Sequence, residues 1–181
     1  MHPFLRPVVW SSWRGKGAFM FRLLATTLAG FGTGAVQVAG RRYNPTSAHP
    51  ATREWYRSLN KPWYAPPGPV LGILGTLLDA SLLRTAVRII AAPPSRNRRH
   101  AIVAWLATVI GSSLFPKVMF GWRRPGLAFG VTAGTLVAGT VLTATTAATG
   151  RKVAAPTLPL LGMLIFTCVL QREVWRRNRA I

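Results

Sequence analysis

Five apolar segments of 20–25 residues, separated by short polar joints, account for most of this 181-residue chain. The segments are Ala18–Ala39, Gly68–Ala92, Ala101–Phe120, Gly126–Thr149 and Ala154–Trp175. A helix of about 20 residues is long enough to cross the hydrocarbon core of a bilayer. A soluble bundle of buried helices would instead show polar outer faces, whereas the fourth segment carries no charge on any face. We therefore predict an all-α protein, an integral membrane bundle of five transmembrane helices.

The charged residues are few, almost all basic, and concentrated in the joints. They make up 14% of the chain, with 23 Lys or Arg against three acidic residues and a net charge of +20. A soluble domain carries about 25% charged residues of both signs, and a disordered chain is poor in apolar residues, which here reach 50%. A nucleic-acid binder would align its cations along one helix face or patch. The composition excludes disorder and favours a lipid bilayer, not nucleic acid, as the partner.

The chain divides into a basic N-terminal lead at 1–17, a membrane domain at 18–178 and a short tail at 179–181. Either Met1 or Met20 is compatible with a start site. Lys and Arg are slightly more frequent on the side of the first joint and the C-terminus, which predicts a cytoplasmic location for both.

Pairs of small residues four positions apart occur in three of the predicted helices, and such pairs allow close helix packing. They predict contacts within the bundle or across a homodimer, and the pairs are Gly30 with Gly34, Ala107 with Gly111, and Gly130 with Gly134. Pro116 and Pro159 also fall within apolar segments, where each removes a backbone hydrogen-bond donor.

The first joint, Gly40–Pro67, is rich in aromatic residues and proline, and it leads into the second helix as Trp55-Tyr-Arg-Ser-Leu-Asn-Lys-Pro-Trp-Tyr-Ala-Pro-Pro-Gly-Pro-Val-Leu-Gly72. Two further motifs are Phe120-Gly-Trp-Arg-Arg-Pro125 and Val174-Trp-Arg-Arg-Asn178. Together these stretches resemble the TspO/MBR family, the tryptophan-rich sensory or translocator proteins. The resemblance implies five transmembrane helices and a pocket for flat hydrophobic ligands such as porphyrins and sterols, with the first joint as a lid.

The chain resembles a divergent member, because several family positions are replaced. The family tryptophans of the second and fifth helices are Gly75 and Met163 here, Asp79 replaces an aromatic residue, and Gln171 replaces an asparagine. The positions that the resemblance assigns to the ligand are Trp55, Tyr56, Pro66, Gly72, Gly75, Asp79, Ser112, Phe115, Met163 and Thr167. For Asp79, near the middle of its helix, a structural hydrogen bond, for instance to Thr76, is the alternative to a ligand contact.

We expect a membrane receptor or carrier, located in a bacterial cell membrane, that binds a tetrapyrrole or sterol-like ligand within the bundle. A proton- or ion-coupled transporter is an alternative, motivated by Asp79. The other alternative, a porphyrin-degrading membrane enzyme, is disfavoured by Gly75 and Met163, so no catalytic residue is assigned. No cofactor other than a tetrapyrrole ligand is expected. The three histidines and Cys168 have no metal-ligand spacing, so no metal is expected.

Overall fold

A computed structural model of the protein describes residues 27, 30, 34, 35, 38, 42–45 and 48–179. The basic lead at 1–17 and most of the first predicted helix lie outside the described residues. The five described residues of that segment, from Thr27 to Val38, all have helical backbone geometry. The fifth transmembrane span therefore stays a prediction.

Residues 48–179 fold entirely into helices and connecting turns, without a strand. The helices are α1 (Pro50–Ser58), α2 (Gly68–Ala91), α3 (Arg96–Pro116), α4 (Pro125–Thr149), α5 (Arg151–Ala154) and α6 (Thr157–Arg177), with a π-helical turn at Lys117–Gly121 after α3. Four stretches are long and apolar enough to cross a membrane, namely Val70–Ala91, Arg96–Gly121, Pro125–Thr149 and Thr157–Arg177. The all-helical fold and four of the predicted spans are thus present in the described part of the chain.

Local sequence signals explain where the long helices begin and end. Helix α3 begins at Arg96, five residues before the predicted position, because the Ser95 side chain caps it by accepting a hydrogen bond from the Arg98 backbone N–H at 3.1 Å. Helix α4 begins with Pro125, whose missing N–H would have no helical acceptor at that position. It ends at Thr149 and is followed by Gly150, whose φ of 153° favours glycine.

The two prolines within apolar segments have different effects. Pro159 lies in the first turn of α6, where backbone N–H groups have no helical acceptor, so it does not interrupt that helix. Pro116 closes α3, and the chain then widens into the π turn, in which the Trp122 backbone N–H donates to the Lys117 carbonyl at 2.8 Å. The widened turn places Val118, Met119 and Phe120 in the protein interior.

Helix α4 lies at the centre of the described bundle and packs most extensively on α3 and α6. Glycines make these approaches possible. A Cβ atom at Gly111 would overlap with Thr135 of α4, and one at Gly139 would overlap with Leu164 of α6. By contrast, no described heavy atom lies within 4 Å of a Cβ built at Gly130 or Gly134. The contacts at Gly111 and Gly139 therefore lie within the bundle. A homodimer through Gly130 and Gly134 stays a prediction.

Many of the outward-facing side chains of the four spans are large and apolar. Val103, Ile110 and Val137 are 66%, 62% and 65% exposed, respectively. In water, so many exposed aliphatic side chains would form a large aggregation-prone surface. In a bilayer the same surface contacts acyl chains, so the exposure pattern agrees with an integral membrane protein.

Two apolar clusters stabilise opposite ends of the bundle. One contains Trp105, whose indole N–H donates to the Leu82 carbonyl at 2.9 Å and so links α3 to α2. The other lies where α2 and α4 begin and α3 and α6 end, and it includes Leu59 of the first joint together with Met119 and Leu170. We call this second end the loop end. The described part of the first joint packs here, above the space between the helices.

Candidate ligand-binding cavity

A cavity of about 320 Å³ opens between α2, α3, α4 and α6 at the loop end. This volume lies in the lower part of the range of about 300–1,000 Å³ that is typical of small-molecule pockets. Its lining is mostly apolar, with a few polar groups, and consists of Asn44, Pro45, Tyr56, Leu71, Gly72, Leu74, Gly75, Leu78, Asp79, Gly111, Ser112, Phe115, Pro116, Phe120, Thr132, Thr135, Met163, Leu164, Phe166, Thr167, Leu170 and Gln171. Such a combination is usual for binding sites of hydrophobic ligands.

The structure brings most of the predicted site residues together around this cavity. Those that line it are Tyr56, Gly72, Gly75, Asp79, Ser112, Phe115, Met163 and Thr167. The two others, Trp55 and Pro66, are half-buried in the first joint but do not line the cavity. Trp55 packs against the apolar cluster of the loop end, and the Arg123 guanidinium lies 5.9 Å from its ring centroid.

Three aromatic rings form one wall of the cavity, at its loop end. Tyr56 of α1 meets Phe120 edge to face with 5.6 Å between ring centroids, and Phe120 meets Phe115 in the same way at 6.0 Å. Edge-to-face contacts of this kind add stability beyond the buried area. Burial raises the pKa of the Tyr56 phenol, so its hydroxyl stays neutral. Helix α1, the end of α3 and the π turn thereby supply the aromatic surface that a flat ligand would contact.

Lys61 stabilises the first joint itself. Its ammonium group donates to the carbonyl oxygens of Tyr56, Leu59 and Arg57, at 2.5, 3.1 and 3.2 Å. It also lies 4.7 Å from the centroid of the Tyr56 ring. These carbonyls at the end of α1 have no helical donors, so Lys61 acts as its C-terminal cap. Burial lowers the pKa of Lys61. The lysine therefore fixes the position of Tyr56 without lining the cavity.

Asn178 connects the joint to the end of α6. Its side-chain oxygen accepts from the Asn60 backbone N–H at 3.0 Å, and its amide nitrogen donates to the carbonyls of Asn60 at 3.0 Å and Val174 at 2.7 Å. The Asn178 side chain is buried. The paired bonds to Asn60 hold residues 118 positions apart in the sequence, and they fasten the joint over the cavity.

The polar groups of the cavity come from all four long helices. Asp79 is half-buried near the middle of α2. The Thr76 hydroxyl donates to the Gly72 carbonyl at 3.1 Å, so its hydrogen is not directed to Asp79. The Oγ of Ser112 and the Oε1 of Gln171 are buried without a hydrogen-bond partner. Unpartnered buried polar atoms are rare in proteins, so these two mark places where a ligand group would be stabilised.

Sequence reasoning did not assign several of the residues that line the cavity. The sequence does not single out Thr132 and Thr135 of α4, because that segment has no charge to distinguish one face from another. Phe120 lies in a motif that carried the resemblance, and Gln171 is one of the replaced family positions, so a signal was available for both. Within the described residues, no three His, Cys, Asp or Glu side chains lie close enough together to hold a metal ion.

Comparison with known proteins identifies a family that the chain matches. The sequence profile of the TspO/MBR family matches residues 24–176, which is most of the chain and includes most of the first predicted helix. No curated protein matches the chain significantly in sequence.

Proposed function

The chain belongs to the TspO/MBR family, and from this membership we propose that it is a membrane receptor or carrier for a hydrophobic ligand, of the tetrapyrrole or sterol-like kind, bound within its helix bundle. The cavity between the four spans is the observation that supports this proposal most directly. It has an aromatic wall and an apolar lining, and it lies beneath a joint that Lys61 and Asn178 hold in position. A bacterial cell membrane is the proposed location.

The structure allows a test in which a bulky side chain is introduced at the cavity lining. Gly75 lines the cavity, and no described heavy atom lies within 4 Å of a Cβ built there. The purified protein in detergent would be titrated with protoporphyrin, haem and a sterol. Binding of the first two would be followed by tryptophan quenching, and binding of the sterol by equilibrium dialysis. We expect saturable binding of at least one ligand to the wild type and much weaker binding to Gly75→Phe. Equal binding to both proteins, or none to either, would contradict the proposal.

We further propose that ligand binding involves no chemical conversion. No tryptophan is among the described residues that line the cavity, and the family's tryptophan positions hold Gly75 and Met163. Protoporphyrin bound to the protein should therefore keep its Soret absorption under illumination. Bleaching well beyond that of a heat-denatured control would indicate a porphyrin-degrading enzyme.

Asp79 favours coupled transport as a second candidate function. A carboxylate near the middle of a membrane span is costly, and such residues often mark ion or proton pathways. Asp79 lies at the cavity, where a translocated proton and a ligand would meet. Proteoliposomes distinguish the two functions, because a coupled transporter would accumulate ligand when a pH gradient is imposed and a receptor would not.

A further inference from the structure

The threonine hydroxyls at the cavity donate their hydrogens to backbone carbonyls. Each donates to a carbonyl of its own helix at 2.8 Å, in the pairs Thr132 with Ala128, Thr135 with Val131 and Thr167 with Met163. A hydroxyl has one hydrogen and two lone pairs, so these oxygens retain acceptor capacity only. Three of the polar groups around the cavity can thus accept a hydrogen bond from a ligand but cannot donate one.

Two further acceptors lie buried and unpartnered. Gln171 is only 6% exposed, and its Oε1 has no hydrogen-bond partner. The Ser112 Oγ is in the same condition, although the Ser112 hydroxyl and the Gln171 amide can also donate. Pro116 has no N–H, so it cannot donate to the Ser112 carbonyl four residues earlier. A ligand donor placed between α3 and α6 would supply the hydrogen-bond partner that these acceptors lack.

The charge at the cavity also favours a ligand that donates hydrogen bonds. Asp79 is the only acidic residue among the described lining residues, and none of those residues is Lys, Arg or His. Two described cations of the loop end have other partners, since Lys61 caps α1 and Arg123 lies over Trp55. A ligand carboxylate bound deep in the cavity would be buried near Asp79, and no Lys, Arg or His among the described lining residues would compensate its charge, which is strongly unfavourable in a low-dielectric site.

From these three observations we propose that the cavity selects apolar ligands whose polar group is a hydrogen-bond donor, an amine or a hydroxyl, and discriminates against carboxylates. This inference rests on the proposed function, because it specifies the ligand class of the same cavity. A monoalcohol or an alkyl amine fits the acceptor groups of Ser112, Gln171 and Asp79. A ligand that must bury a carboxylate does not, so a tetrapyrrole would fit only with its propionates outside the cavity.

Four pyrene probes of nearly equal size test the proposal, because they differ only at the end of the side chain: butylpyrene, pyrenebutanol, pyrenebutylamine and pyrenebutyric acid. Binding to the full chain in detergent is measured by energy transfer from tryptophan. The difference between wild type and Gly75→Phe in identical micelles corrects for partition into detergent. We expect the amine and the alcohol to bind about tenfold more tightly than the acid, in line with one hydrogen bond to a charged or buried partner.

The lining residues are tested by Gln171→Leu combined with Ser112→Ala, with Ser113→Ala as the matched control. Ser113 is the neighbouring serine on α3, does not line the cavity, and donates to the Val109 carbonyl at 2.7 Å. The double variant should lose most of the preference for the alcohol over butylpyrene, whereas the control should keep it. Replacing two unpartnered polar groups should not lower thermal stability, so a folding failure is not expected to obscure the result.

The outcomes separate the inference from the proposed function. If the acid binds as tightly as the amine, or the double variant keeps the full preference, the selectivity is refuted while the cavity remains a binding site. If none of the four probes, including butylpyrene, distinguishes wild type from Gly75→Phe, both the inference and the proposed function fail.

Discussion

At the scale of the residue, Lys61 shows how a motif position can have a structural role next to a binding site. The three carbonyls that it caps belong to α1, which carries Tyr56 to the cavity. The sequence placed the lysine in the motif of the first joint, and its three acceptors became visible only once the joint was folded.

We predict that Lys61→Met destabilises the protein by about 1–3 kcal/mol, because carbonyls at the end of α1 lose a charged donor. The measurement is thermal unfolding in detergent. Lys152→Met, which removes an exposed lysine at the opposite end of the bundle, is the matched control and should leave the midpoint unchanged. Equal midpoints for both variants would show that the capping bonds contribute nothing to stability.

Asp79 has two roles to distinguish, ligand contact and structural hydrogen bonding. We predict that Asp79→Asn, which preserves shape and removes the charge, weakens binding of pyrenebutylamine several-fold and leaves thermal stability near wild type. The physical reason is the loss of an ionic acceptor at the cavity. Unchanged affinity for the amine would assign Asp79 to structure alone, and a large loss of stability would indicate that its structural bond is essential.

At the scale of the element, the first joint combines a short helix, an aromatic wall and two sets of hydrogen bonds that fix its position. Its prolines restrict the backbone, since each fixes φ and limits the residue before it. Lys61 and Asn178 then hold the joint to itself and to α6. The aromatic residues therefore reach the cavity on a rigid element, as a binding site requires.

We predict that replacing Trp55 and Tyr56 by alanine weakens ligand binding by tenfold or more, because Tyr56 lines the cavity and Trp55 packs behind it. Replacing Trp10 and Trp13 by alanine is the comparison. Both affinities would be measured by titration with protoporphyrin or a pyrene probe. Similar losses in the two double variants would mean that these aromatics only anchor the chain at the membrane surface.

At the scale of the whole molecule, glycine positions decide how the spans assemble. Helices in lipid associate through close packing, because the hydrophobic effect does not favour one apolar neighbour over another. Gly111 provides the contact between α3 and α4, while Gly134 faces away from the described residues. Both glycines belong to small-residue pairs in apolar helices, and only the residues around them in the fold differ.

We predict that Gly111→Ala lowers the free energy of unfolding by about 1–3 kcal/mol, because its Cβ would displace Thr135 in a packed interface. Gly134→Ala should be neutral or slightly stabilising, since alanine favours helix and the site is open. The comparison needs only thermal unfolding of both variants in detergent. A destabilised Gly134→Ala with a tolerant Gly111→Ala would reverse the assignment of the packed face.

The sequence by itself determined the elements that depend on local composition. The long apolar segments predicted helices that span a membrane, and four of these spans are present in the described residues. The motifs around Trp55, Phe120 and Val174 indicated the family, which the profile match confirms. Length, apolar content and proline positions carry this information, because crossing a bilayer and ending a helix are local requirements.

Only the tertiary structure decided which face of each span is internal. A transmembrane helix is apolar on every side, so hydropathy does not distinguish a lipid-facing residue from one that lines the cavity. Thr132, Thr135 and Gln171 became cavity residues only through the packing of α4 against α3 and α6. The cap by Lys61 and the clamp by Asn178 likewise depend on folded neighbours, since the clamp joins residues 118 positions apart.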